Sequence, residues 1–149
     1  MVTSKKSQAQ VALELGFRSG LEASIAAQLD RAGIAVKFET LRVRYLKQPP
    51  PAKYTPDFEL PNGIIIETKG RFLTADRQKH KWIKAQHPDL DIRFVFSRAA
   101  TRISKTSQTS YANWCDQYGF LWHDKVIPQS WLDEPPQQKR IDAIKKAST

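Results

Sequence analysis

A short pair of predicted strands that carries acidic side chains constrains this chain more than any other feature of its sequence. Residues 54–60 (YTPDFEL) and 64–69 (IIIETK) are short runs, and the second is rich in the β-branched residues that favour strands. Between them, residues 61–63 (PNG) have the composition of a turn. We therefore predict a β-hairpin over residues 54–69.

The length of the turn decides which side chains of this hairpin meet. A two-residue loop would pair Pro61 with Ile64 and place the two acidic residues, Asp57 and Glu67, on opposite faces. A three-residue loop with its glycine in the left-handed conformation pairs Leu60 with Ile64 and sets the two acidic residues directly opposite each other. We favour the three-residue loop, because proline is a poor ladder residue and a good first corner of a type I turn.

Directly opposed carboxylates repel each other, and a positive charge has to offset the repulsion. Lys69 lies two residues beyond Glu67 and is expected on the same face as Glu67 and Asp57. A divalent cation held by carboxylate oxygens is the other candidate. The alternative interpretation is an ordinary surface ladder, in which Glu67 and Lys69 only solvate an exposed face of the sheet.

The overall charge points to a polyanionic partner. The 149 residues suit one α/β or α+β domain, and 24 Lys and Arg against 15 Asp and Glu give a net charge of +9. Such a balance favours nucleic acid as a partner. Because there is no long apolar run and no apolar core near the N-terminus, we expect a cytoplasmic protein without membrane attachment.

Cysteine and histidine show no pattern of a metal site. Cys115 is the single cysteine, which excludes an intramolecular disulfide and a cysteine-rich zinc site, and we expect it to be a buried structural thiol. His80, His87 and His123 lack metal-ligand spacing. Any metal site in this chain is therefore expected to use oxygen ligands.

The beginning of the domain predicts a helix followed by an irregular strand. Residues 18–32 carry an apolar stripe at helical spacing. Ser19 and Glu22 match a capping box, although Glu22 also borders the apolar stripe and can face the hairpin as a third carboxylate. Residues 36–46 alternate in two phases, which predicts a strand with a bulge at residues 39–40.

A proline-rich segment separates this part from the hairpin. Residues 47–53 (KQPPPAK) cannot form a tight hairpin and predict a stiff spacer between an exchanged segment, 17–46, and a main body, 54–136. Such a spacer favours the exchange of elements between two protomers. Outside this domain, residues 1–16 predict a flexible arm and residues 137–149 predict a mobile basic tail.

The rest of the main body predicts alternating helices and strands. Residues 74–85 predict a basic helix, 92–96 a central strand, 97–110 a polar loop, 111–118 a helix and 120–122 a short strand. Basic side chains of these segments, together with one at the start of the first helix and one directly after the hairpin, are expected to contact DNA phosphates. They are Arg18, Arg71, Arg77, Lys79, His80, Lys81, Lys84, Arg98, Arg102 and Lys105.

The acidic residues suit the hydrolysis of a phosphodiester, for which two divalent metals held by acidic side chains can activate water and stabilise the charge on both sides of the phosphorus. Asp57 and Glu67 can share the ions, the main-chain carbonyl of Thr68 can add an oxygen ligand, and Glu22 can hold the second ion. Lys69 would orient or deprotonate the water, or stabilise the transition-state charge. Oxygen ligation points to Mg²⁺ or Mn²⁺, with two ions in each site.

The hairpin resembles the PD-(D/E)xK nuclease motif through Pro56-Asp57 and Glu67-Thr68-Lys69. A longer ordered series over residues 17–136 is similar to the endonuclease I family of T-odd bacteriophages, which resolves four-way DNA junctions. The segments that carry this resemblance are Phe17-Arg18-Ser19-Gly20-Leu21-Glu22, Tyr54-Thr55-Pro56-Asp57-Phe58, Leu60-Pro61-Asn62-Gly63-Ile64, Glu67-Thr68-Lys69-Gly70, Gln86-His87-Pro88 and Thr109-Ser110-Tyr111.

This resemblance implies an α/β fold of the PD-(D/E)xK nuclease type, with a central mixed β-sheet flanked by helices. It implies that Glu22, Asp57, Glu67 and Lys69 form the catalytic set. It also implies an element-swapped homodimer, in which Glu22 of one chain joins the other three residues of its partner. The prolines within the spacer and residues 71–73 depart from the pattern of the family.

The resulting hypothesis is a metal-dependent, structure-selective endonuclease that binds branched DNA, especially four-way (Holliday) junctions, as a homodimer and cuts two strands. If it is phage-encoded, it would act in the cytoplasm of a bacterial host. A duplex nuclease of the restriction or transposase type is the alternative enzyme. The non-enzymatic alternative is a basic DNA-binding module with purely structural carboxylates.

Overall fold

The computed structural model describes residues 19–45 and 51–149, and a mixed five-stranded β-sheet with helices on both faces lies at its centre. The strands are β1 (Lys37–Phe38), β2 (Val43–Tyr45), β3 (Ala52–Tyr54), β4 (Phe58–Glu59), β5 (Ile64–Lys69), β6 (Asp91–Phe96) and β7 (Trp122–Asp124). The helices are α1 (Gly20–Arg31), α2 (Thr74–Gln86), α3 (Tyr111–Tyr118), α4 (Gln129–Asp133) and α5 (Gln138–Ala147).

The central sheet has the strand order β1-β4-β5-β6-β7. Strand β4 pairs antiparallel with both β1 and β5, whereas β6 pairs parallel with both β5 and β7. This confirms the predicted α/β class and the mixed sheet. The strand at residues 92–96 is an interior strand, paired on both sides, whereas β5 occupies the centre of the sheet. Strand β7 begins two residues later than the short strand that we predicted at residues 120–122.

The hairpin has the three-residue turn that its proline and glycine predict. Phe58 lies opposite Ile66, and the Leu60 amide donates to the Ile64 carbonyl at 2.8 Å. The Gly63 amide donates to the Leu60 carbonyl at 3.0 Å, and Gly63 has a φ of +92°, which is strained for other residues. This register places Asp57 opposite Glu67 once it is continued by one residue beyond β4.

Alternate residues of β5 supply two separate cores. Ile64 and Ile66 pack on one face with Ile25 and Leu29 of α1, and Ile65 packs on the other face with the aromatic side chains of β6. All five of these aliphatic side chains are fully buried, and each contributes about 1.5–3 kcal/mol through its burial. The polar end of β5 is therefore held rigidly between two packed layers.

Helix α1 begins where the sequence predicts, because Ser19 accepts a hydrogen bond from the Glu22 amide at 3.1 Å. After it, the chain does not form the single bulged strand that we predicted over residues 36–46. It breaks at Glu39, which has a φ of +52°, and continues from β1 in the central sheet to β2 in a separate two-stranded sheet. The strand is interrupted at the predicted position. The interruption is not a one-residue bulge, because the chain passes there from one sheet to the other.

The predicted spacer is shorter than residues 47–53. Ala52 and Lys53 belong to β3, which pairs antiparallel with β2 of the same chain. Several predictions fall outside the described residues. They concern the prolines at positions 49 and 50 with the rest of residues 46–50, the arm at residues 1–16, and Arg18. Within the described ranges, no helix has both the length and the apolar character that crossing a membrane requires.

Residues 137–149, which we predicted to be a mobile tail, instead contain helix α5. This helix packs on the domain through three buried residues, Arg140, Ile144 and Ala147. The Arg140 guanidinium donates to the Asn62 carbonyl at 2.7 Å and to the carboxylates of Asp91 and Glu134 at 3.2 Å each. The same side chain packs on the hairpin turn at Gly63. Helix α5 therefore holds the turn that sets the register of β4 and β5.

Candidate active site

Three neighbouring strands of the sheet bring three acidic residues side by side. Continuing the β1–β4 and β4–β5 registers by one residue sets Glu39 opposite Asp57, and Asp57 opposite Glu67. The Glu39 amide donates to the Asp57 carbonyl at 3.2 Å, which fixes the first of these pairs. Glu39 was not among the predicted site residues, because its approach to Asp57 depends on the pairing of β1 with β4.

Glu22, Glu39 and Asp57 form a compact acidic cluster. One carboxylate oxygen from each of them lies within 4.8 Å of the others. Glu22 projects from the first turn of α1 and is 8% exposed, and Asp57 is 5% exposed. The structure thus brings together two predicted site residues and adds Glu39 to them.

Asp57 is held by its neighbour on the adjacent strand. Its Oδ2 accepts hydrogen bonds from the Thr68 amide at 2.9 Å and from the Thr68 hydroxyl at 2.8 Å. Burial raises the pKa of Asp57, and the charge of Glu39 raises it further, although the Thr68 hydrogen bonds and the charge of Lys69 oppose the shift. The protein alone therefore does not fully stabilise a negative charge at this position.

Glu67 is 4% exposed and meets different partners from Asp57. The Tyr54 hydroxyl donates to its Oε2, and Lys69 Nζ lies 3.8 Å from its Oε1. Lys69 Nζ also lies 3.5 Å from Asp76 at the start of α2. The predicted common face thus holds for Glu67 and Lys69, whereas the Asp57 carboxylate is turned towards Thr68.

Burial and the charge of Asp57 raise the pKa of Glu67 to about 8. Lys69, the Tyr54 hydrogen bond and Lys79 act in the opposite direction but do not cancel these effects. A buried carboxylate with so high a pKa is a site where an added cation gains much interaction energy. Glu67 and Asp57 influence each other electrostatically, and Asp57 also belongs to the acidic cluster.

The donor atoms fit a hard divalent cation. Glu22, Glu39, Asp57 and Glu67 offer carboxylate oxygens, which is the ligand chemistry that Mg²⁺ and Mn²⁺ prefer. Glu22, Asp57 and Glu67 are buried, so a bound ion would meet little competition from bulk water. These side chains could hold such a cation, with the main-chain oxygen of Thr68 as the further ligand that the sequence predicts.

Lys79 lies beside the site rather than on a remote DNA-binding face. Its Nζ lies 5.4 Å from the centroid of the Tyr54 ring. Burial and the charge of Lys69 lower the pKa of Lys79, and the charges of Glu67 and Asp76 oppose this. We predicted a phosphate contact for Lys79, and its position beside Glu67 would bring that phosphate close to the carboxylates.

Two of the predicted DNA contacts are corrected by their burial. His80 is fully buried in contact with the rings of Tyr54, Phe72, Phe94 and Phe120, so it has no surface with which to touch DNA. Burial also lowers the pKa of His80 well below its usual value, and its ring is therefore neutral. Arg77 is 8% exposed, and its guanidinium donates to the main chain and side chain at the start of α2.

The other predicted contacts that lie within residues 19–45 and 51–149 are accessible. Arg71, Arg98, Arg102 and Lys105 are exposed. Lys81 and Lys84 are half-buried, and the ammonium of each lies 4.6 Å from the centroid of an aromatic ring, Tyr118 or Phe120. A second group that the sequence analysis missed is the pair Arg44 and Lys53, which are exposed and directly opposite each other on β2 and β3. Like charges in this arrangement are unfavourable unless an anion lies over them.

Comparison with known proteins identifies the family of this chain. The sequence profile described as phage endonuclease I matches residues 2–149. The chain is 45% identical to "Endonuclease I" of Escherichia phage T7 over 130 residues, which cover 87% of each protein. It is 46% identical to "Endodeoxyribonuclease 1" of Enterobacteria phage T3 over 129 residues, which cover 87% of this chain and 85% of that protein. The chain belongs to the phage endonuclease I family, and it is an endodeoxyribonuclease.

Proposed function

We propose that this endonuclease is metal-dependent and selective for branched DNA, and that it resolves four-way junctions by paired phosphodiester hydrolysis as a homodimer in the host cytoplasm. The observation that carries the proposal is the row of the half-buried Glu39 and the buried Asp57 and Glu67, joined by Glu22 from α1 and by Lys69 from β5. The ordered motifs that resemble the junction-resolving family support the choice of substrate.

Glu22, Glu39, Asp57 and Glu67, with the Thr68 carbonyl, would hold Mg²⁺ or Mn²⁺. When bound, such ions activate water and stabilise charge on the phosphoryl oxygens. Asp57 takes part both in the acidic cluster and in the electrostatics of Glu67, which supports two ions in each site. Lys69 would place a fixed positive charge beside the scissile phosphate, where it can orient the attacking water or stabilise developing negative charge.

Junction selectivity is tested with a four-way junction and a linear duplex of the same arm sequence. We expect metal-dependent cutting of the junction alone, and loss of cutting in Glu67→Gln. Glu59→Gln is the matched control, because it removes a half-buried carboxylate from the same hairpin. Equal rates on both substrates would contradict junction selectivity. Cutting of linear DNA at a fixed sequence would instead favour the restriction or transposase type.

We further propose that two protomers exchange their N-terminal segments, so that the contacts of α1 and Glu22 with the sheet, which lie within one chain in the structure, are made between chains in the dimer. Glu22 of one chain would then serve the site of the other. Co-expression of a Glu22→Gln chain with a Glu67→Gln chain tests this arrangement. With exchange, one site of the heterodimer carries both changes and the other site is intact, so one strand is nicked. Without exchange, both sites carry one change each and no activity returns. Each variant expressed alone is the control.

Paired hydrolysis has its own readout on a supercoiled plasmid with an extruded cruciform. Two cuts within the lifetime of one complex yield linear product directly. Single cuts yield a nicked circle, whose relaxation removes the cruciform and hence the substrate. Nicked circles as the sole product of the wild-type protein would argue against paired cutting.

A further inference from the structure

The residue that holds Glu67 lies outside the predicted catalytic set. Tyr54 ends strand β3, is 1% exposed, and donates its hydroxyl proton to Oε2 of Glu67. A buried tyrosine hydroxyl requires a partner, and Tyr54 finds it in a carboxylate of the site rather than in the main chain. The contact spans two elements, since Tyr54 belongs to the two-stranded sheet and Glu67 to the central one.

The ring of Tyr54 is itself held in place. Tyr54 pairs with Val43 on β2, its ring lies edge-on to His80 with centroids 5.1 Å apart, and Lys79 Nζ lies above it at 5.4 Å. His80 is fully buried and cannot move aside without opening the core around it. The hydroxyl is therefore a donor at a fixed point rather than one on a mobile side chain.

We propose that Tyr54 is a positioning residue for the endonuclease reaction. Its hydroxyl donates to Oε2 of Glu67 and so fixes the orientation of the carboxylate. The other oxygen, Oε1, then faces Lys69, at 3.8 Å from Nζ. Without this hydrogen bond the carboxylate can rotate, and a cation ligand with a free rotation binds more weakly. The proposal rests on the metal dependence proposed above, because it assigns to Tyr54 an effect on the affinity of Glu67 for a cation.

The test is Tyr54→Phe, which keeps the ring and removes the donor. Tyr111→Phe is the matched control, because Tyr111 is also a buried tyrosine of the same core and packs on Phe72 and Phe96. Mn²⁺ binding is measured by calorimetry without DNA, and junction cleavage is followed over a range of Mg²⁺ concentrations. We expect Tyr54→Phe to lower Mn²⁺ affinity by about 10–100-fold and to raise the Mg²⁺ concentration for half-maximal cleavage, with unchanged junction affinity in EDTA.

A double-mutant cycle with Tyr54→Phe and Glu67→Gln distinguishes a positioning role of Tyr54 from a purely structural one. If Tyr54 acts through Glu67, adding Tyr54→Phe to Glu67→Gln lowers Mn²⁺ affinity no further. If Tyr54 only supports the fold, its effect on Mn²⁺ affinity is the same in both backgrounds, and the proposal is overturned. Equal Mn²⁺ affinity and cleavage for Tyr54→Phe and Tyr111→Phe would overturn it as well. A wild-type protein that binds no Mn²⁺ and cuts without metal would instead contradict the proposed metal dependence.

Discussion

Replacing Glu67 by glutamine should make the metal-free protein more stable at alkaline pH, although the proposed mechanism predicts that it abolishes cleavage. The pKa of Glu67 is about 8 in the folded protein, above its ordinary value of 4.5. Between these values the folded state binds a proton that the unfolded chain releases. The contribution of Glu67 to stability is therefore complete below pH 4.5 and is lost as the pH rises through 8. The amide of the Glu67→Gln variant does not ionise, and its oxygen can still accept the Tyr54 hydrogen bond.

The magnitude follows from the two pKa values. A difference of about 3.5 pKa units, at about 1.4 kcal/mol for each, corresponds to about 5 kcal/mol between pH 4.5 and pH 9. This is an upper bound, because water that enters the metal-free site screens the ionised carboxylate. Asp57, Lys69, Lys79 and Tyr54 face Glu67 in both proteins, so the difference between variant and wild type isolates the effect of Glu67.

The assay is urea unfolding in EDTA at pH values from about 5 to 9, followed by tryptophan fluorescence. The free energy of unfolding of Glu67→Gln should exceed that of the wild type by a margin that grows with pH, and Glu59→Gln is measured beside it as the control. Mg²⁺ at about a hundred times its dissociation constant should return about 2.7 kcal/mol to the wild type and less to the variant. Parallel pH curves for Glu67→Gln and the wild type would refute the assignment of a buried, proton-binding Glu67.

Three further predictions concern residues of the basic segments, of which two are buried and one is exposed. Arg140→Ala should lower the free energy of unfolding by about 1–3 kcal/mol in urea titrations, because the carbonyl of the buried Asn62 loses this donor, while Asp91 and Glu134 keep their ion pairs with Arg93. The exposed Lys139→Ala should change it by less than about 1 kcal/mol. His80→Leu should leave stability unchanged or raise it, since neither ring nitrogen has a hydrogen-bond partner within the described residues, and junction affinity should not fall; weaker binding would contradict its exclusion from the interface. Arg98→Ala should weaken junction binding and reduce its salt dependence by about one phosphate contact, and an unchanged salt slope would remove Arg98 from the interface.

Local sequence rules account for the parts of the fold that depend on local chemistry. Proline and glycine in the turn predict its three-residue geometry, and with it the opposition of Asp57 and Glu67. Ser19 predicts the start of α1, and Gly119 predicts the end of α3, where it adopts a φ of +78°. These features depend on the conformations allowed to single residues, which a sequence displays directly.

The features of the fold and the site that we did not predict from the sequence depend on contacts between distant segments. Glu39 joins the acidic cluster because β1 pairs with β4, and its sequence neighbourhood shows only a change of strand phase. Helix α5 looks like a charged tail, yet Arg140, Ile144 and Ala147 recur at helical spacing and form its buried face. His80 lies in a basic run of the sequence, which suggested a DNA contact. Residues 77, 80 and 83, however, form the buried side of α2, so His80 belongs to the core.

The contact between Arg140 and Asn62 imposes an order on the maturation of the protein. The two residues are 78 positions apart, so a nascent chain presents its hairpin well before the guanidinium that holds the turn has left the ribosome. Up to that point, the loop that aligns Asp57 with Glu67 depends on its own proline and glycine. The guanidinium can therefore secure the turn, and with it the register of Asp57 against Glu67, only late in synthesis.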